Sequence, residues 1–223
     1  MADSEIGEVF PENNRSIIFS LNEFIVEELK TARRFLRKIG YQKPFEEVKF
    51  NILNEHTDLT EIGAYLKNLI NDSSIGLLSE AGSPCIADPG SELVKLAHQN
   101  GIRVIPLVGP SSILMALIAS GFNGQNFVFH GYLPIDKKQR IQKLTELERN
   151  IYKLDQTQIF IETPYRNNRM VEAILSACSR ETALCIASNI TAKDEIITSK
   201  KISEWRKSPG DWNKRPVVFL LFK

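Results

Sequence analysis

A chain of 223 residues with 43% hydrophobic content can bury one large core or two smaller ones, and two is the commoner outcome at this length. The 28 basic residues against 27 acidic ones leave a formal charge of +1, which excludes a generally polycationic nucleic-acid coat but leaves local basic patches open. Cys85, Cys178 and Cys185 are widely spaced and odd in number, so free thiols are expected rather than a disulfide framework or a zinc site. The acidic start Met1-Ala2-Asp3-Ser4-Glu5 leads into no apolar leader and no stretch reaches membrane-spanning length, so a cytoplasmic protein without membrane contact is expected.

In chain order, Phe24 to Glu27 reads as a strand and Lys30 to Ile39 as a helix stopped by Gly40, with Ala32, Phe35, Leu36 and Ile39 as its apolar stripe. A strand over Val48 to Leu53, an amphipathic helix over Asp58 to Ile70 and a strand over Ile75 to Leu78 follow. A helix from Pro89 to Asn100, a strand from Arg103 to Leu107 and a helix from Pro110 to Ala119 complete a first domain of residues 1–121. The turn-rich Phe122-Asn123-Gly124-Gln125-Asn126 then opens a second, 122–223. It has strands at Phe127 to Tyr132, Gln158 to Glu162, Ala183 to Ser188 and Val217 to Phe222, and helices at Lys137 to Lys153 and Asn168 to Cys178. Strands alternating with helices imply an α/β fold with parallel pairing in the first domain.

Two strand-to-helix junctions of the first domain are richer than a minimal turn requires. Leu78 runs into Ser79-Glu80-Ala81-Gly82-Ser83-Pro84-Cys85-Ile86-Ala87-Asp88-Pro89-Gly90, and Val108 runs into Gly109-Pro110-Ser111-Ser112. In a parallel sheet such turns lie at the carboxyl ends of the strands, where a ligand crevice forms. Gly82, Gly90 and Gly109 admit a close guest, while Glu80 and Asp88 bring carboxylates that a pyrophosphate would repel. Neither the dinucleotide nor the Walker glycine pattern is present, so a neutral or cationic guest with hydroxyl and amino groups fits better. A plainer reading makes Asp88 the N-cap of a helix beginning at Pro89.

With Leu78 to Pro84, Ala87 to Gly90, Pro106 to Ser112 and Phe160-Ile161-Glu162-Thr163-Pro164-Tyr165-Arg166, the chain resembles the tetrapyrrole methylase-like superfamily of S-adenosylmethionine methyltransferases. Ala119-Ser120-Gly121-Phe122 and Phe129-His130-Gly131-Tyr132-Leu133-Pro134 are most similar to the branch that methylates a ribose 2'-hydroxyl of small-subunit ribosomal RNA. The resemblance implies two α/β domains, a homodimer, no metal, and S-adenosylmethionine held in a cleft between the domains. Matched residue by residue, it assigns Gly82, Ser83, Pro84, Asp88, Gly109, Pro110, Ser111, Ser112 and Thr163 to the cofactor. Glu28, Lys30, His56 and Glu80 are the candidate general bases near strand ends, with Glu28, His56 and Glu80 taken as the catalytic candidates. Arg33, Arg34 and Arg166 are the candidate RNA contacts, because an RNA acceptor needs phosphate-binding cations to set its register.

The sequence departs from that family in two places. Ser188-Asn189-Ile190-Thr191-Ala192 replaces a segment that elsewhere carries an Arg and a Glu. Met1 to Arg15 is too polar for the strand that opens other members, so the first strand is expected to be missing here, either through a late start, with the strand encoded in phase upstream, or through a real loss that impairs activity. Two other functions remain open from the residues, methylation of a tetrapyrrole or other small molecule and a nucleoside-binding module without turnover.

Overall fold

The structure is a computed structural model describing residues 6–54, 56–66, 73–80 and 82–223. It divides into two compact units, one formed by residues 5–110 and the other chiefly by residues 111–223. The division falls before the turn at Gly121, because the helix that precedes this turn packs with the second unit.

In the first unit, helices α1 (Ile6–Val9) and α2 (Glu12–Ser20) lead into strand β1 (Glu23–Val26). Phe24, Ile25 and Val26 are all buried because β1 is the middle strand of the order β2-β1-β3, with β2 at Lys49–Ile52 and β3 at Gly76–Leu78. Burial of each such side chain stabilises the unit by about 1.5–3 kcal/mol. Both pairings are parallel, and Val26 is level with Ile52 on one side and Leu78 on the other. The three strands therefore end on one line.

Helix α3 (Leu29–Ile39) covers this sheet with Ala32, Leu36 and Ile39, the i, i+4, i+7 stripe expected of a half-buried helix. Gly40 ends it in the left-handed conformation, at φ 97°, that side chains disfavour. Helix α4 spans Leu59–Leu66, and the expected continuation to Ile70 lies outside the described residues. Helix α5 spans Ser91–Gln99 and starts two residues later than the sequence suggests. Gly90, not Asp88, is its N-cap.

The strand expected at Arg103 to Leu107 does not form. A strand exists only where a neighbour offers a ladder, and among the described residues β3 pairs with β1 alone. Residues 103–109 run without regular structure, leaving Val104, Ile105, Leu107 and Val108 exposed. The polar first residues form no described strand, since 6–20 is largely helical. Asn14 instead reaches across from α2 and donates to the carbonyl of Val108 at 2.7 Å.

In the second unit, helix α6 (Ser112–Ser120) lies on a sheet ordered β4-β5-β8-β6-β7. Ala116 and Leu117 cluster there with Cys185, Val218 and Leu220. The strands are β4 (Phe127–Tyr132), β5 (Thr157–Ile161), β6 (Ala183–Ser188), β7 (Ile196–Lys201) and β8 (Val217–Phe222). Only β4 and β5 pair in parallel; the other ladders are antiparallel. Helices α7 (Lys137–Leu154) and α8 (Asn167–Ala177) cover the other face, with Leu144, Leu147, Ile151 and Ile174 against Phe160 and Phe219. The short helix α9 (Ile202–Trp205) follows β7 and packs Trp205 into that core. No helix among the described residues is long and apolar enough to cross a membrane.

Ile105 is 60% exposed and Val108 78%, whereas Leu36 is fully buried. The double substitution Ile105→Lys/Val108→Lys should leave the melting temperature within a degree or so and reduce binding of a hydrophobic dye, because exposed side chains lose no packing. Leu36→Ala should cost about 2–5 kcal/mol in a denaturant titration.

Candidate functional site

The residues that follow the three parallel strands emerge on the same end of the first sheet. Glu27 and Glu28 follow β1, Asn54 and His56 follow β2, and Glu80 follows β3. The three candidate bases thus stand on neighbouring strand ends. Their environments differ.

Glu28 is the N-cap of α3. Its carboxylate accepts from the backbone N–H groups of Lys30 at 2.9 Å and Thr31 at 2.7 Å, and from the Thr31 hydroxyl at 2.6 Å. These donors, led by the Thr31 side chain, hold its carboxyl down at about 2. A group so thoroughly satisfied is a poor proton acceptor and a good anchor for α3.

The Thr31 hydroxyl also lies 2.7 Å from Glu80 Oε1. One hydroxyl hydrogen serves only one of the two carboxylates at a time, so the other needs a donor from elsewhere. The backbone N–H of Glu80 in turn donates to Glu27 Oε1 at 3.2 Å. Burial raises the Glu27 carboxyl, the Glu80 N–H opposes that rise, and the charges of Asp88 and Glu80 add to it. Asp88 is raised too, first by burial and then by Glu80. Its Oδ2 is buried without a hydrogen-bond partner among the described residues. Three carboxylates with few donors of their own suit a guest that is cationic or rich in hydroxyl and amino groups. Glu27 and Thr31 join a group in which Glu28, Glu80 and Asp88 were singled out as site residues from sequence.

His56 sits in a turn where its backbone N–H donates to Asn54 Oδ1 at 2.9 Å, and it is exposed. Ala81 lies outside the described residues; from Gly82 to Gly90 the backbone is unusual. Gly82 (φ 82°), Cys85 (φ 68°), Ala87 (φ 61°) and Gly90 (φ 132°) all have positive φ. For Cys85 and Ala87 this is strained, and backbone strain gathers at ligand loops. Ser83 and Pro84 form the turn closed by the Ile86 N–H on the Ser83 carbonyl at 3.3 Å. A Cβ on Gly82 or Gly109 would meet nothing within 4 Å, so both leave room for a guest. Gly90 is different. A Cβ there would lie 3.0 Å from both Cys85 Sγ and Leu77 Cδ2, so this glycine is required by packing.

The remaining sequence candidates are distributed between the two units. Gly109 and Pro110 belong to the first and Ser111, Ser112 and Thr163 to the second. Ser111 is the N-cap of α6 yet makes no side-chain cap bond. Thr163 follows β5, its N–H donating to Glu162 Oε1 at 2.7 Å. The same oxygen accepts from Arg166 at 2.7 and 3.0 Å, so Arg166 is engaged by a carboxylate that is itself buried. Arg33 lies 5.3 Å from the ring centroids of both Phe45 and Phe50, packed by cation–π contact, whereas Arg34 is exposed. His130 Nε2 donates to Gln158 Oε1 at 2.8 Å, and burial lowers its pKa, consistent with a packing role. Among the described residues no group of three His, Cys, Asp or Glu could hold a metal ion.

The fold is that of the two-unit α/β methyltransferases. The methyltransferase CobJ superposes with a TM-score of 0.62 at 15% identity, over 97% of this chain and 89% of its own. A cobalt precorrin-4 methyltransferase, CbiF, gives 0.57 at 13% identity over 96% and 89%. No family model matches the chain. Two curated proteins, both named ribosomal RNA small subunit methyltransferase I, are closer in sequence. The Vibrio cholerae protein is 33% identical over 208 residues, 92% of this chain and 69% of its own length. The Xylella fastidiosa protein is 32% identical over 217 residues, 97% of this chain and 76% of its own. The chain belongs to the family of ribosomal RNA small subunit methyltransferase I.

Gly90→Ala should cost about 1–3 kcal/mol through strained backbone alone, with the Cβ clash in addition, read as a lowered denaturation midpoint. Asp88→Asn separates a ligand group from a structural one. A carboxyl raised by folding contributes stability below its unfolded pKa, 3.8, that is lost as pH rises through the folded value. At pH 7 the ionised Asp88 is therefore a cost, and Asn should hold or raise the melting temperature. A fall in melting temperature at pH 7 would show Asp88 to be structural.

Proposed function

We propose that this chain is an S-adenosylmethionine-dependent methyltransferase acting on small-subunit ribosomal RNA, at a ribose 2'-hydroxyl. The observation that carries the donor assignment is the under-supplied acidic group Glu27, Glu80 and Asp88 beside the positive-φ loop. Its chemistry suits a sulfonium nucleoside, which presents positive charge, an amino group and ribose hydroxyls. Family membership supports RNA as acceptor, since both relatives are named for ribosomal RNA.

S-adenosylmethionine supplies an electrophilic methyl group when bound. In the first unit, Gly82, Ser83, Pro84, Asp88, Gly109 and Pro110 are the residues assigned to hold it. Methyl transfer is an in-line displacement, so the protein's main task is to place the acceptor oxygen and keep water away. The acceptor hydroxyl must lose a proton as the new bond forms. Glu27 is assigned this proton: burial raises its carboxyl toward the operating pH, whereas Glu28 is held too low to take it. Arg34 is assigned to RNA phosphate because it is exposed on α3.

Self-association as a homodimer is supported by the exposed Leu114 and Ile118, four residues apart on α6. Three free cysteines fit a reducing, cytoplasmic setting.

Incubation with labelled methyl donor and undermethylated small-subunit particles should transfer label to a ribose 2'-oxygen, mapped by mass spectrometry of nuclease fragments. Label on a tetrapyrrole and none on the particles would reject the assignment. The base has its own signature. Activity should rise with pH through an acidic limb displaced above 4.5, because Glu27 must be ionised to accept a proton and burial delays that ionisation. Glu27→Gln should lower kcat at least about 100-fold and abolish that limb.

A further inference from the structure

Helix α2 is anchored at both ends. Phe10, just before it, stands edge-on against Phe35 of α3 with ring centroids 5.6 Å apart, and Ile18, near its end, is buried in the core that holds Phe24 and Leu36. The carbonyl of Leu21, which follows the helix, accepts from the Tyr41 hydroxyl at 2.6 Å. The helix is therefore a fixed part of the first unit.

Its buried face consists of Asn14 and Ile18, an i, i+4 pair. An apolar side chain is the ordinary occupant of such a position, because an amide taken out of water costs free energy unless it finds a partner, and asparagine is also a poor helix former. Asn14 is only 5% exposed. Its partner lies 94 residues away: the Asn14 Nδ2 donates to the carbonyl of Val108 at 2.7 Å.

Val108 belongs to the segment from Arg103 to Gly109, every residue of which is exposed. Pro106, and Pro110 just beyond, have no N–H to donate, and among the described residues no strand offers the segment a ladder. Before it, the Ile102 N–H is held by the Ala97 carbonyl at 2.9 Å; after it, Ser111 opens α6. Between these ends, the bond from Asn14 is the single hydrogen bond that residues 103–109 make among the described residues. A segment fastened only at its ends keeps most of its backbone freedom. One further point of attachment, next to Gly109, removes that freedom where the donor wall begins. A Cβ on Gly109 would meet nothing within 4 Å, so packing does not fix this turn.

We infer that Asn14 is a positioning residue for the donor site: by holding Val108 it sets where the Gly109-Pro110 turn stands. The inference rests on the methyl-donor reading above and deepens it, by tying donor affinity to a helix none of whose residues touches the acidic group. Because Val108 is exposed, water can replace the amide on its carbonyl, so loss of the bond costs the fold little while releasing the segment.

The test uses Asn14→Leu, which keeps the volume and drops the donor, with Asn14→Ala in its place where the Leu variant does not fold. Native-state trypsin cleavage after Arg103, followed by mass spectrometry, reads the freedom of the segment. Calorimetric titration with S-adenosylmethionine and steady-state kinetics on small-subunit particles read the site. Cleavage after Arg103 should quicken about 3- to 10-fold, and Kd and KM for S-adenosylmethionine should rise by a similar factor, the range that one lost hydrogen bond gives. The value of kcat at saturating donor, the acidic limb of the pH profile and the melting temperature should stay with the parent. Parental cleavage and parental donor affinity in a folded variant would overturn the inference, as would faster cleavage with donor affinity unchanged. A parent protein that binds no S-adenosylmethionine would remove the donor reading instead; faster cleavage in the variant would then still uphold the hold of Asn14 on the segment, and unchanged cleavage would reject it.

Discussion

The parallel register of β1 with both β2 and β3 is the constraint on which the first unit depends. Because Val26, Ile52 and Leu78 are level, the chain leaves all three strands at one edge, and every polar group that follows must be satisfied there. Glu28 meets that demand by capping α3, which fixes the helix whose Ala32, Leu36 and Ile39 bury the sheet. Glu27, one residue earlier, is left with a single backbone donor from Glu80. One strand end therefore supplies both an anchored carboxylate and one short of donors, and the difference between them is the number of N–H groups each can reach.

The same register explains why the loop to Gly90 is strained. The chain must leave β3, carry Asp88 close to Glu80 and Glu27, and still enter α5. Gly90 makes the last step with a φ of 132° that only glycine accepts readily, packed against Leu77 and Cys85. Cys85 and Ala87 accept positive φ without that freedom. Gathering like charges on a strained backbone destabilises the protein by itself, and the proposed cationic guest would relieve that repulsion.

The acidic group lies wholly in the first unit. This unit gathers carboxylates around a glycine-opened loop, suited to a positively charged nucleoside.

Local pattern alone determined much of this protein. The 3.6-residue stripe of α3 and its Gly40 stop, the alternation of strands and helices, and the all-apolar run of β8 each follow from side-chain chemistry within a few residues. The loop motifs from Glu80 to Gly90 and from Glu162 to Arg166 were legible for the same reason, and they carried the family. What depended on distant partners was not. Residues 103–107 have the composition of a strand but lack a neighbour to pair with, and β7, half-exposed at an edge, has a ladder only because β6 offers one. Asp88 followed by Pro89 reads as a helix start, yet tertiary packing delays that start to Ser91 and leaves the carboxylate beside Glu27 and Glu80. Whether a carboxyl caps a helix, holds a guest or takes a proton is set by which donors the folded chain brings within 3 Å or so of it, and no spacing in one dimension contains that distance.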